Sequence, residues 1–135
     1  MYEHGQHNKE VCEHLISSKK YNDWVITTAF YSALHYLREN IFPIMYEDGT
    51  PLSNFEEYYS YLRRNGIEKS QHKALIDLVE EKLENASDLY RQLYTMCRTS
   101  RYNNYQTSKK KALIGKSYLD KIINVIEEVD RAKKS

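Results

Sequence analysis

From Trp24 to Leu37 the chain reads WVITTAFYSALHYL and carries no charged side chain. Elsewhere it is dense in Lys, Glu, Asp and Arg, with 29% of residues charged, so this stretch is the segment most committed to burial. A helix left uncharged on every side belongs inside a core rather than on its rim. Asn22 and Asp23 are N-cap residue types in front of it, and Pro43 stops it. A central second helix is therefore predicted from Asp23 to Ile41. Phe30, Leu34, Leu37 and Ile41 form one face. Ala29, Ser32, Ala33 and Tyr36 form a small-residue face that lets another helix approach closely. Trp24, Thr28, Tyr31 and His35 form the third. His35 is either a hydrogen-bonded core histidine or a working group.

The remaining periodicity is also helical. A first helix is expected from Gln6 to Ser18, with Val11, Cys12, Leu15 and Ser18 on its stripe. Asp48-Gly49-Thr50-Pro51 is a turn signal. Ser53-Asn54-Phe55-Glu56 reads as a capping box that starts a short helix ending near Asn65-Gly66. Ser70 caps a long helix from Gln71 to Arg98 or beyond, with Leu75, Leu78, Val79, Leu83, Ala86, Tyr90, Leu93 and Cys97 on one face. The pattern breaks from Tyr102 to Ser108. Thr107 or Ser108 then caps a last helix to Ala132, whose core positions are Ala112, Leu119, Ile122, Ile123, Ile126 and Val129. Gly115 within it costs about 1 kcal/mol relative to Ala, which close packing on the second helix offsets. The expected fold class is all-α: an antiparallel up-and-down four-helix bundle with one extra short helix, spanning 1–135 as a single domain.

Composition narrows the function classes. Four Gly and two Pro are too few for a many-stranded fold. A net charge of +1 gives no global pull towards nucleic acid or membrane. Two cysteines, Cys12 and Cys97, make no disulfide framework and no Cys-x-x-Cys motif. No apolar run is long enough for a membrane span, and MYEHGQHNKE has no signal-peptide core, so a cytoplasmic location is expected. His4, His7 and His14 share a helical stripe, but no carboxylate or Cys completes a metal set, and neither metal nor cofactor is expected.

Charge is unevenly placed. From Leu89 to Leu119 there is no Asp or Glu, yet Arg91, Arg98, Arg101, Lys109, Lys110, Lys111 and Lys116 lie there. Tyr94, Tyr102 and Tyr105 are interleaved with them. Cations for phosphates and rings for bases suit single-stranded nucleic acid. A solvated loop complementing a helix dipole has the same composition. Arg98 and Arg101 are candidates for an anion, or for buried pairing. His35 and His72 are the candidate acid–base groups. If the second and the long helix run antiparallel, His72 falls beyond the top of the second helix, Arg101 near its base and His35 about 20 Å above that base, so one monomer does not easily bring the three together, whereas a dimer or a different helix offset could. The thirteen tyrosines suggest a second kind of surface, a protein interface built on Tyr58, Tyr59, Tyr61, Tyr90 and Tyr94.

The block DWVITTAFYSALHYL, from Asp23 to Leu37, resembles the second helix of HEPN domains. The block YRQLYTMCRTSRYNNY, from Tyr90 to Tyr105, resembles their Arg-rich region at the end of the long helix. The resemblance implies a small helical bundle, commonly a homodimer, found in prokaryotic toxin–antitoxin, defence and CRISPR-associated systems. It also implies, for many members, a metal-independent endoribonuclease whose Arg is followed four to six residues later by a His. Here no His follows Arg98 or Arg101. An RNA-associated module that binds or cleaves RNA is therefore expected. Arg98, Arg101 and His35 are its catalytic candidates, and Lys109, Lys110, Lys111, Tyr102 and Tyr105 its RNA- or nucleotide-phosphate-binding candidates. The alternative is a non-catalytic protein–protein module paired with a nucleotidyltransferase.

Overall fold

The structure, a computed structural model, describes residues 2–102 and 108–134, without the side chains of residues 100–102. Among these residues there are six helices and one two-stranded hairpin. The helices are α1 (Glu3–Ser18), α2 (Asn22–Ile41), α3 (Phe55–Arg64), α4 (Gln71–Lys82), α5 (Glu84–Tyr102) and α6 (Lys109–Lys134). The strands β1 (Ile44–Met45) and β2 (Pro51–Leu52) pair antiparallel around the Asp48-Gly49 turn. There Gly49 has φ +88 and Asp48 Oδ1 accepts the Thr50 N–H at 3.0 Å. Apart from this hairpin, the regular structure of the described residues is all helical.

As its lack of charge demands, α2 lies in the middle and packs against α1, α5, α6 and α4. Val25, Ile26, Ala29, Phe30, Ala33, Leu34 and Leu37 are all buried. The third face is different. Trp24 is 55% exposed, and Thr28, Tyr31 and His35 are half-buried. Absence of charge thus marked two buried faces, not three. Neither Asn22 nor Asp23 is the cap: the helix starts at Asn22, behind Tyr21, which makes no side-chain cap bond.

The small-residue face does bring a helix close, and that helix is α1. A Cβ placed on Gly5 would meet the Tyr36 ring at 2.5 Å, and the Ser32 hydroxyl donates to the Gly5 carbonyl at 2.7 Å. Cys12 Sγ lies 3.4 Å from the Val25 carbonyl, so the two helices run antiparallel. α1 therefore starts three residues earlier than its stripe predicted, because Gly5 docks where a side chain would clash. At the other end of α2, Asn40 donates to Asp130 of α6 at 2.8 Å. Gly115 of α6 sits against Ile26, where an added Cβ would be 3.3 Å from Ile26 Cγ1, so α6 runs parallel to α2.

Two of the remaining caps agree with their sequence reading, and one differs. Ser70 Oγ accepts the Lys73 N–H at 3.1 Å, as expected. The capping box of α3 is shifted by one residue: Asn54 Oδ1 accepts from Glu57 N–H at 2.9 Å, and Glu57 Oε2 accepts from Ser53 N–H at 2.7 Å. At α6, Ser108 Oγ accepts the Lys111 N–H at 3.1 Å, while Thr107 lies outside the described residues.

The largest departure is at Leu83. The predicted long helix is two helices, broken where Leu83 takes φ -139 and ψ 62. A straight helix would separate His72 from Tyr94 by about 33 Å. Their ring centroids are 5.1 Å apart, so α4 and α5 fold back on one another. Every residue of the predicted stripe, from Leu75 to Cys97, is nevertheless buried. No Gly or Pro marks the break. A straight helix over Gln71–Arg98 would reach about 42 Å, against about 30 Å for α2. Folding back lets both halves bury their stripe on a shorter partner, and tertiary packing overrides the local continuity.

Candidate functional site

The fold-back at Leu83 builds the site. His72, in the first turn of α4, lands on Tyr94 of α5, and the Phe30 ring of α2 lies 5.7 Å from both. Arg98, one turn beyond Tyr94, places its guanidinium 5.7 Å from the Tyr94 ring centroid and donates from Nη1 to the Tyr94 hydroxyl at 3.3 Å. Arg38 comes from α2, on the stripe that begins with Phe30 and Leu34. Its guanidinium lies over the Phe55 ring at 4.2 Å, and Nη1 is 3.5 Å from Glu56 Oε1.

These surroundings hold the His72 pKa below the usual value of 6.5. Burial is the main cause, and the positive charges of Arg38 and Arg98 add to it. At neutral pH the imidazole is therefore uncharged, with a lone pair free to take a proton and two cations at hand for an anion. Burial also works against the charge on Arg38, with Glu56 opposing it.

A second feature is the end of the molecule where α1 finishes and α2 and α6 begin. A small cleft there is lined by Ile16, Lys19, Asn22, Lys109, Ala112 and Leu113. Lys19, Lys20, Lys109, Lys110 and Lys111 are exposed around it. Tyr21 is 50% exposed, next to the exposed Trp24. Cys97 Sγ is 4.0 Å from Thr27 Oγ1, near the start of α2, so Arg98 lies at this end too. Lys116 does not join the group, because Asp120 at 2.7 Å and Glu13 at 3.4 Å hold it.

The residues singled out by sequence are thus divided. Arg98 and Lys109, Lys110 and Lys111 share one end of the fold. His35 sits elsewhere, with its ring 5.2 Å from that of His4 on α1, and burial, His4 and Arg38 lower its pKa. Tyr105 lies outside the described residues, as do the side chains of Arg101 and Tyr102. His72 meets Arg98 at Tyr94, although the sequence reading placed His72 and the nearby Arg101 at opposite ends of the second helix. Of the five tyrosines of the expected interface, Tyr58, Tyr61 and Tyr90 are core residues, and Tyr59 and Tyr94 are half-buried. Among the described residues no group of three His, Cys, Asp or Glu side chains is placed to hold a metal ion. No helix among them is long and apolar enough to cross a membrane.

Sequence reasoning missed Arg38, Lys19, Lys20, Tyr21 and Trp24. Arg38 had a legible signal, since it continues the buried Phe30–Leu34 stripe as a charged residue. The partnership of His72 with Arg98 had none. No family model, no curated protein and no solved structure matches the chain.

Proposed function

We propose that this chain is a HEPN-like RNA-associated module of a prokaryotic defence or toxin–antitoxin system. In this reading α1, α2, α5 and α6 are the antiparallel up-and-down four-helix bundle, and α3 and α4 pack on it. RNA enters over the lysines at the α6 N-terminus, with Tyr21 and Trp24 available to stack on bases. The observation that carries the reading is the meeting of His72 and Arg98 on one ring, His72 at 5.1 Å from the Tyr94 ring and Arg98 bonded to the Tyr94 hydroxyl. His72 takes the proton of an RNA 2′-hydroxyl, and the 2′-oxygen attacks the adjacent phosphorus. Arg98 stabilises the charge that builds on the phosphoryl oxygens. The 5′-oxygen leaves and is protonated by solvent, giving a 2′,3′-cyclic phosphate and a 5′-hydroxyl. His72 thereby takes the base role that the sequence offered to His35.

The test is an EDTA-treated incubation of the protein with mixed single-stranded RNA. Wild type and His35→Ala should cleave, and His72→Ala and Arg98→Ala should each lose about 100-fold or more. Cleavage that survives His72→Ala but not His35→Ala would return the base role to His35. Absence of cleavage, with RNA affinity unchanged by Arg98→Ala, would reject the RNA reading. The exposed Tyr21, Trp24, Leu113 and Ile114 favour a second reading, in which the same end docks a protein, such as a nucleotidyltransferase partner or a second copy in a homodimer.

A further inference from the structure

Three buried hydrogen-bond donors along the α2–α5 seam have no partner among the described residues: Arg38 Nε, Ser87 Oγ and the Tyr90 hydroxyl. Ser87 is 4% and Tyr90 1% exposed. An unmade hydrogen bond at a buried group costs about 1–3 kcal/mol, and more where the group is charged. Ala and Phe would fill the Ser87 and Tyr90 positions without that cost. The three donors also belong together. Phe30 stacks on Tyr90 at 5.5 Å, and Thr27 meets Cys97, so α2 and α5 run antiparallel. Moving along α2 from Phe30 to Arg38 therefore means moving back along α5 from Tyr94 towards Ser87. Ser87 and Tyr90 are one turn apart, on the same flank of α5. The charge of Arg38 reaches the Tyr90 hydroxyl, counteracting part of the burial that raises its pKa.

A cationic N–H and two hydroxyls, all able to donate, call for an acceptor with several oxygens and negative charge. The nearest carboxylate of Arg38 is Glu56, whose side chain is 75% exposed and which meets Nη1, not Nε. We propose that Arg38, Ser87 and Tyr90 form an anion subsite for a terminal phosphate, either free or as the monoester of a nucleotide. Ser87 and Tyr90 are its closed floor, and half-buried Arg38 is its open side. A site closed on one side admits a phosphate that carries at most one substituent. An internal phosphodiester, whose chain must leave on both sides, does not fit. The subsite stands on its three donors and does not require RNA cleavage at His72.

The test is thermal unfolding of the full chain titrated with inorganic phosphate at constant ionic strength. A parallel titration uses uridine 5′-monophosphate, with uridine as control. Wild type should gain stability with phosphate concentration, because a ligand that binds only the folded state raises Tm. Tyr90→Phe and Ser87→Ala should fold normally and each weaken the fitted affinity by about tenfold or more, since each removes one hydrogen bond to an anion. A response to inorganic phosphate alone identifies a free-anion site, and tighter binding of the monophosphate identifies a nucleotide site. No response from wild type, or equal affinity in both variants and wild type, would overturn the proposal and leave the donors to internal water. Neither titration involves RNA, so loss of the subsite and loss of the ribonuclease reading are separate results.

Discussion

The two sides of α2 satisfy their polar groups differently. Towards α1 and α6 the bonds close on themselves. The Tyr2 hydroxyl and the Asn40 amide both donate to Asp130, each at 2.8 Å, and Ser32 donates to the Gly5 carbonyl. Lys116 bridges Asp120 and Glu13. One oxygen of Glu39 is the exception, buried without a partner among the described residues. Towards α4 and α5 the polar groups are set among rings and left open: Arg38 Nε, Ser87 and Tyr90 have no partner among the described residues, and the charges of Arg38 and Arg98 act on His72. Closed networks fix the docking of helices. Open ones keep bonding capacity for something that arrives later.

The largest effect expected from this contrast is catalytic. In RNA cleavage assays His72→Ala should lose about 100-fold, whereas His35→Ala, on the closed side, should stay within about threefold. Equal losses would erase the distinction between the sides. Next is Gly5→Ala. Ala normally gains about 1 kcal/mol over Gly in a helix. Here the new Cβ meets the Tyr36 ring, and overpacking of about 1–3 kcal/mol should reverse the sign, as denaturant unfolding would measure. A stabilised Gly5→Ala would mean that α1 docks more loosely than described. A smaller effect separates two deletions. Asn40→Ala should cost about 1–2 kcal/mol by leaving Asp130 short of a donor. Tyr90→Phe, which removes an unpaired hydroxyl, should be neutral or stabilising in phosphate-free buffer.

The pH dependence should be gentler still. His72 and His35 both have pKa values lowered by folding, so the unfolded chain binds more protons as pH falls below about 6.5. Stability should be full above that pH and decline below it. Thermal unfolding of the His72→Gln/His35→Gln variant should show a flatter profile between about pH 7.5 and 5.5. A wild type whose Tm rises on acidification would contradict the sign.

Much of the fold was legible because burial leaves a periodic trace. The core residues of α2, α5 and α6 follow their stripes, and the small face of α2 correctly anticipated a close helix. The start of α1 was not legible, because Gly5 carries no hydrophobic signal and matters only against Tyr36. The break at Leu83 was not legible either. Its stripe continues through the break in phase, and only the length of the partner helix decides whether such a stripe stays straight. The site inherited that gap. Arg98 and the three lysines follow from charge clustering along the chain, but the meeting of His72 with Arg98 depends wholly on the fold-back.

The bond between Tyr2 and Asp130 spans almost the whole sequence, joining the first helix to the last. The start of α1 and the last turns of α6 are thereby near neighbours, and the covalent order of the helices is not the only one compatible with their packing. A circular permutant in which a linker runs from α6 to α1, opened at the exposed Asp48-Gly49 turn, would keep every helix intact. Each helix would retain its neighbours, while α1 and α6 would become consecutive. Loop closure between them, which the natural order makes the longest search of folding, would become one of the shortest.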